Sequence, residues 1–229
     1  MPHRLESIVS SYVPKHLPVL GDSYRWAFDM DKVQHLVPHI EGDSWAAKNL
    51  SLKNQLHQRW LGSDHSERVE IADYFVRTWG GIRAVRPETI DRYVAQLSKQ
   101  QYPQLQGIPS WSKIAAVVEP QKNFIFDARV VMSLNALQLL MLGRIEVLLP
   151  QLQSRNTVVS RVDKLIRSQP SVKRAPRVGR EHDFYKQYRD LLISSTASLN
   201  DPWAAAKAEM VLFADAEKLA LAVEKKLQG

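Results

Sequence analysis

Residues 105–131 read LQGIPSWSKIAAVVEPQKNFIFDARVV, and the order of residue types in this stretch predicts two buried helices with sharply defined starts. A turn containing Gly107 leads to Ser112-Lys113, which opens an apolar run over 113–118 that Pro120 ends. The β-prone triplet Phe124-Ile125-Phe126 then delivers Asp127 to a second apolar run over 128–142. Lys113 and Asp127 are therefore each expected in the first turn of a buried helix. Ionisable groups held at the edge of a core are where desolvation perturbs pKa values and makes them chemically useful.

The same periodicity extends outward in both directions. Apolar residues recurring at three and four positions predict further helices over 45–60, 66–78, 87–98, 157–167, 183–196 and 202–227. Pro87 suits a first helical turn, Gly143 ends the run before it, and Asn200-Asp201-Pro202 reads as the cap of the C-terminal helix. Strand signals are limited to Phe124-Ile125-Phe126 and to the first forty residues. The fold class is mainly α, with a few short strands at most.

The chain has 229 residues, 45% of them hydrophobic and 24% charged, the composition of an ordinary globular protein with room for a sizeable core. It has no cysteine, which excludes disulfides, thiolate-bound zinc and iron–sulfur clusters, and suits a reducing cytoplasm. Prolines and charges interrupt the first twenty residues, so no signal peptide is expected there. The most apolar window, 130–142, is too short to span a membrane. The net charge of +7 favours a polyanionic partner, because each phosphate neutralised releases condensed counterions. Basic residues concentrate in 161–180, RVDKLIRSQPSVKRAPRVGR, where Lys173 and Arg174 lie in a Pro-containing loop. That segment is either a solvated linker or a phosphate-contacting loop.

Gly-rich phosphate loops, a G-x-S-x-G elbow, H-E-x-x-H and a calcium loop are all missing. His35 and His39 are four apart, but Pro38 breaks the helix that would align them, and no metal site is expected. Each remaining candidate carries two readings. Asp127 serves as an N-cap or as a functional carboxylate. Lys113 is a solvated lysine or a functional amine, a cation near a helix N-terminus being mildly unfavourable. Trp111 and Trp79 are core anchors or aromatic wedges. Phe213 belongs on an amphipathic apolar face, and Glu209, with Leu212 and Phe213 beside it, is the odd residue on that face.

Leu105-Gln106-Gly107-Ile108 followed by Ser112-Lys113-Ile114-Ala115 resembles the hairpin of the helix-hairpin-helix DNA glycosylase superfamily. Phe124-Ile125-Phe126-Asp127-x-x-Val130 is similar to the segment that carries the family's essential aspartate. Ala208-Glu209-Met210-Val211-Leu212-Phe213, with Trp203 before it, is similar to the base-pocket helix of 8-oxoguanine DNA glycosylases. Arg77-Thr78-Trp79-Gly80-Gly81-Ile82-Arg83 sits where the family places its duplex-filling loop. Pro109-Ser110-Trp111 fills the place of the hairpin's second glycine, and the interval from Lys113 to Asp127 is shorter than the family's.

This resemblance implies one glycosylase-like domain over 1–229, built of two helical subdomains with the active site between them and the hairpin at about 97–118. It implies a monomeric, cytoplasmic enzyme that needs no cofactor and binds double-stranded DNA. Asp127 and Lys113 take the catalytic positions, and Glu209, Phe213, Trp111 and Trp203 the positions around the flipped base. Gly107, Ser110, Ser112, Trp79, Gly80, Gly81, Arg83, Arg129, Lys173 and Arg174 take the positions against DNA. Asp127 stabilises charge developing on the sugar, and Lys113, if neutral, attacks C1′ and adds lyase activity.

Glu209 stands where the family has glutamine. An ionised carboxylate only accepts hydrogen bonds, so it suits a base edge that donates them, such as cytosine N4. That favours a modified cytosine, as for the bacterial glycosylases of this fold that remove glucosylated hydroxymethylcytosine from phage DNA in antiviral defence. Repair of 8-oxoguanine, non-catalytic DNA binding through the hairpin, and an interaction domain for RNA or acidic proteins remain the alternatives.

Overall fold

The computed structural model describes residues 3–101, 106–178 and 184–228. Leu105, Gly179, Arg180 and Asp183, all used above, lie outside these. The chain is mainly helical. In order, the α-helices are α1 His3–His16, α2 Leu20–Ser23, α3 Trp45–Gly62, α4 His65–Asp73, α5 Pro87–Ser98, α6 Ile108–Val118, α7 Ala128–Leu142, α8 Thr157–Ser168, α9 Pro170–Lys173, α10 Phe184–Ser195 and α11 Ala204–Gln228. A π-helical turn, Tyr74–Trp79, continues α4. No helix among the described residues is long and apolar enough to cross a membrane.

The strand expectations are not met. The first forty residues hold α1 and α2, and Phe124-Ile125-Phe126 is an extended buried piece with no ladder. Its aromatic side chains pack in the interior, which satisfies the same hydrophobic signal that a strand would. The one β-bridge among the described residues pairs Leu148 with Arg177.

The backbone contacts divide the chain into two compact units, one of Met1–Ser23 with Phe126–Gly229 and one of Tyr24–Ile125. In the first unit α7 packs along α11, which also meets α8, α10 and α1. Helix α7 is buried on nearly all sides, as a helix apolar all round must be. Its three buried polar residues each bond neighbouring backbone, although Asn135 Nδ2 has no partner among the described residues. Ser133 donates to Leu212 O, Asn135 Oδ1 accepts from Leu149 N, and Gln138 Oε1 accepts from Glu146 and Val147 N at 3.0 Å each. The loop after α7 is thus held by side chains of α7 itself. The basic segment that follows α8 is tied back as well, with Leu148 N donating to Pro176 O and Val178 N to Leu148 O.

In the second unit α6 packs on α3, α5 and the π-helical turn, and α4 on α5. Asp64 and Glu67 form a reciprocal capping box, so α4 starts before the Ser66 that the polar turn suggests. The helix expected over 66–78 changes winding at Tyr74, where Gly80 N reaches back to Phe75 O. Asn49 is fully buried and fully used at the centre of this unit. Its Nδ2 donates to Trp26 O and Trp45 O, and its Oδ1 accepts from Trp79 Nε1 at 2.7 Å.

Candidate active site

Helix α7 begins where the sequence places it. Asp127 is its N-cap, and Oδ1 accepts from both Arg129 N, at 2.9 Å, and Val130 N, at 3.2 Å. The capping role is therefore real, and the side chain is half-buried rather than sealed. One oxygen carries both cap bonds, leaving Oδ2 without a hydrogen bond among the described residues. The residue before Asp127, Phe126, is fully buried. Its ring packs edge-on against Phe184 and Tyr188 of α10, each centroid 4.8 Å away.

Glu209 lies on α11 in the same unit and is only 1% exposed. The same unit holds a group that no sequence motif announces, the phenol of Tyr188 on α10, which is wholly buried with its ring against Phe126, the residue before Asp127. Burial, then the negative fields of Glu209, Tyr185 and Asp127, hold this phenol well above its ordinary value. The phenol therefore remains a hydrogen-bond donor at any physiological pH. Tyr185 and Tyr188 escape motif reading because Phe184-Tyr185-x-x-Tyr188 reads as an ordinary apolar helix face. Two buried hydroxyls on one face are the signal that would have found them.

Phe213, one turn after Glu209, is half-buried, and the Arg129 guanidinium lies over its ring at 4.9 Å from the centroid. Arg129 thus belongs to this cluster by its backbone N–H, which donates to the capping Asp127, and by its side chain. Trp203 is half-buried at the entry to α11, where its N–H donates to Asp201 Oδ1 and Asp201 Oδ2 accepts from Lys207. Asp201 does cap the approach to α11, as its position implies. Lys173 and Arg174 are exposed, as are Lys164 and Arg177. Two other cations of the basic segment are engaged: Arg161 makes a two-pronged pair with Glu224, and Arg167 binds Asp163 and Leu149 O.

In the second unit, Gly107 starts α6 with φ +88, a left-handed conformation, and lies so close to the Tyr93 hydroxyl that no Cβ fits. The helix therefore begins four residues before Ser112, and Lys113 stands in its second turn, not its first. Lys113 is 5% exposed, and its Nζ donates to Pro109 O at 3.2 Å. Its stem packs against Gly80: a Cβ there would come within 2.8 Å of Lys113 Cδ and Cε. Gly80 and Lys113, far apart in sequence, are thus in contact. Gly81 follows with φ +64, and Arg83 is exposed on the loop that Arg77 pins through Val85 O.

Four expectations for this unit are corrected. Trp79 is 6% exposed, stacked on Phe75 at 4.2 Å and bonded to Asn49, so it is a core anchor and not a wedge. Trp111 is among the largest fully buried side chains, so it packs in the core and is not an exposed wedge. Ser112 is completely buried, and its hydroxyl faces Pro109 O within the helix. The Ser110 N–H donates to Gly107 O, so the helix start uses it and a phosphate cannot. For the three on α6 the common cause is the early helix start, which turns 110–113 inward.

Searches against known protein families, curated proteins and solved structures find no match to this chain.

Proposed function

We propose that this chain is a DNA glycosylase that extrudes a modified base and cleaves its bond to the sugar. The observation that carries this reading is the company Asp127 keeps. Within one unit lie a half-buried carboxylate whose Oδ2 makes no hydrogen bond among the described residues, a buried carboxylate at Glu209, and an aromatic face at Phe213 that carries the Arg129 guanidinium. These are the groups that the chemistry demands. A fixed negative charge stabilises the cationic sugar as the bond breaks, an acceptor reads the base edge, and a ring stacks on its face. Exposed Lys173, Arg174, Lys164 and Arg177 supply phosphate contacts, which orient the duplex without reading its sequence.

Glu209 in its ionised form favours a base whose edge donates, and modified cytosines head the list of substrates. Lys113 is the amine for a lyase step, though it belongs to the second unit and is bonded to its own helix.

The test is incubation with DNAs carrying modified bases, glucosylated hydroxymethylcytosine and 8-oxoguanine among them, followed by detection of free base and abasic sites. Asp127→Asn is the decisive variant. Asparagine caps a helix as well as aspartate does, so the fold is kept while the charge is lost. Base release should disappear with duplex binding retained. Release that survives in Asp127→Asn overturns the reading. Borohydride trapping on a processed substrate decides whether Lys113 forms a Schiff base.

A further inference from the structure

We propose that Tyr12, His16 and Asp215 form a proton-operated clasp that fastens α1 to α11 and closes as His16 takes up a proton; it stands apart from the glycosylase reading. Both helices belong to the first unit, and α11 also meets α2 and the 3-10 turn Leu17–Val19 that follow α1. Two side chains of α1 address the same carboxylate oxygen. The Tyr12 hydroxyl donates to Asp215 Oδ2 at 2.8 Å, and His16 Nε2 faces that atom at 4.0 Å. The two rings stack, with centroids 3.9 Å apart and planes at 18°, which fixes their common approach. Asp215 itself is only 8% exposed on α11.

The tautomer decides what the imidazole can do. His16 Nδ1 lies 2.9 Å from Tyr12 O, and a carbonyl only accepts, so Nδ1 carries the proton. In the neutral ring Nε2 is then a bare nitrogen turned toward a carboxylate. Two acceptors face each other, and no bond forms. Protonation places an N–H at Nε2 and converts the contact into a charge-assisted bond to Oδ2, closing a gap of about 1 Å. Tyr12 adds no competing charge. Burial, then its bond to Asp215 and the charge of Asp215, hold its phenol above its ordinary value. Among the described residues Asp215 is the one charged group that pairs with the ring. Lys15 of α1, Asp22 of α2 and Lys218 of α11 are exposed, and the 3-10 turn carries no ionisable side chain. Of the other helices packed on α1, neither Arg129 of α7 nor Lys186, Arg189 and Asp190 of α10 bonds the imidazole. The folded protein gains a bond with this proton and the unfolded chain does not. The stabilisation is therefore present at low pH and lost as the pH rises through the histidine range.

Two readouts test the clasp. In the unaltered protein at about pH 8, the histidine ring-nitrogen NMR signals that vanish in His16→Gln should report the Nδ1–H tautomer. The Nε2–H tautomer at that pH overturns the proposal. Denaturant unfolding at about pH 5.5 and about pH 8 then measures the strength of the clasp. The folding equilibrium constant of the unaltered protein, taken relative to His16→Gln, should be about threefold to tenfold larger at the lower pH than at the higher. Equal ratios at the two pH values overturn the proposal. Asp215→Asn keeps an acceptor for Tyr12 and loses the charge. In that background replacing His16 should leave the ratio the same at both pH values, and a dependence that persists overturns the proposal. Should Asp215→Asn fail to fold, the tautomer and the His16→Gln comparison decide without it. None of these measurements depends on base release, so a failure of the glycosylase reading leaves this test intact.

Discussion

The two helices joined in sequence by residues 119–127 start in opposite ways. Helix α7 starts on a side chain, Asp127, whose carboxylate bonds two backbone N–H groups. Helix α6 starts on the absence of one, with Gly107 at φ +88 against the Tyr93 hydroxyl. A side-chain cap carries charge to the helix end and leaves chemistry available there. A glycine start carries none, and the helix beyond it turns Ser112, Lys113 and Trp111 into the interior. The difference leaves a capping carboxylate at the start of α7 and makes α6 chiefly a packing element.

The largest effect is expected at the glycine start. Gly107→Ala combines a left-handed backbone with direct overlap on Tyr93, and should cost about 2–4 kcal/mol by denaturant unfolding. Adding Tyr93→Phe removes the overlapping hydroxyl and should restore part of that loss. Full stability in Gly107→Ala would break the contrast between the two starts. Next comes Asn49→Ala, which strands the Trp79 N–H and two carbonyls and should cost about 2–3 kcal/mol by the same measurement.

At the other start, Asp127→Ala should cost about 1 kcal/mol and Asp127→Asn almost nothing, while both abolish base release. A large stability loss in Asp127→Asn would mean that the charge holds the fold, and would blur the distinction. Smaller still, Arg129→Ala removes a cation over the Phe213 ring and should cost about 0.5–1 kcal/mol in thermal or chemical unfolding.

The pH dependence gives a final, slight effect. Burial pushes the Asp201 carboxyl up, but the Lys207 ammonium and the Trp203 N–H outweigh it and hold it below its ordinary value. A folded-state value below the unfolded one contributes stability above about pH 4 that is lost as the pH falls further. Asp201→Asn should therefore flatten the stability curve in the acid limb, and an unchanged limb would remove the cap of α11 from the account.

Much of the fold was legible. Helices over 45–60, 87–98, 128–142 and 202–227 follow from apolar spacing, and Asp127, Pro87 and Gly143 mark their ends because caps act locally. The start of α6 was misread because Ile108-Pro109-Ser110-Trp111 carries no familiar cap, while a left-handed glycine before Ile-Pro works equally well. The aromatic triplet 124–126 suggested a strand, since propensity reports a fit to buried surroundings rather than a ladder. Tyr188 and Asn49 were invisible because their importance lies in partners distant in sequence.

By itself, then, the sequence determined the helical class, the helix ends with side-chain caps, the absence of thiol chemistry and the residues Asp127, Glu209 and Phe213 as a set to examine. Those properties arise from neighbours within a few positions along the chain, where spacing alone carries the physics. Tertiary structure decided that Trp79, Trp111 and Ser112 are interior, that Gly80 makes room for the Lys113 stem, and that Tyr188 is buried against Phe126, the neighbour of Asp127. Burial and electrostatic coupling depend on which helices pack together, and no local pattern encodes that.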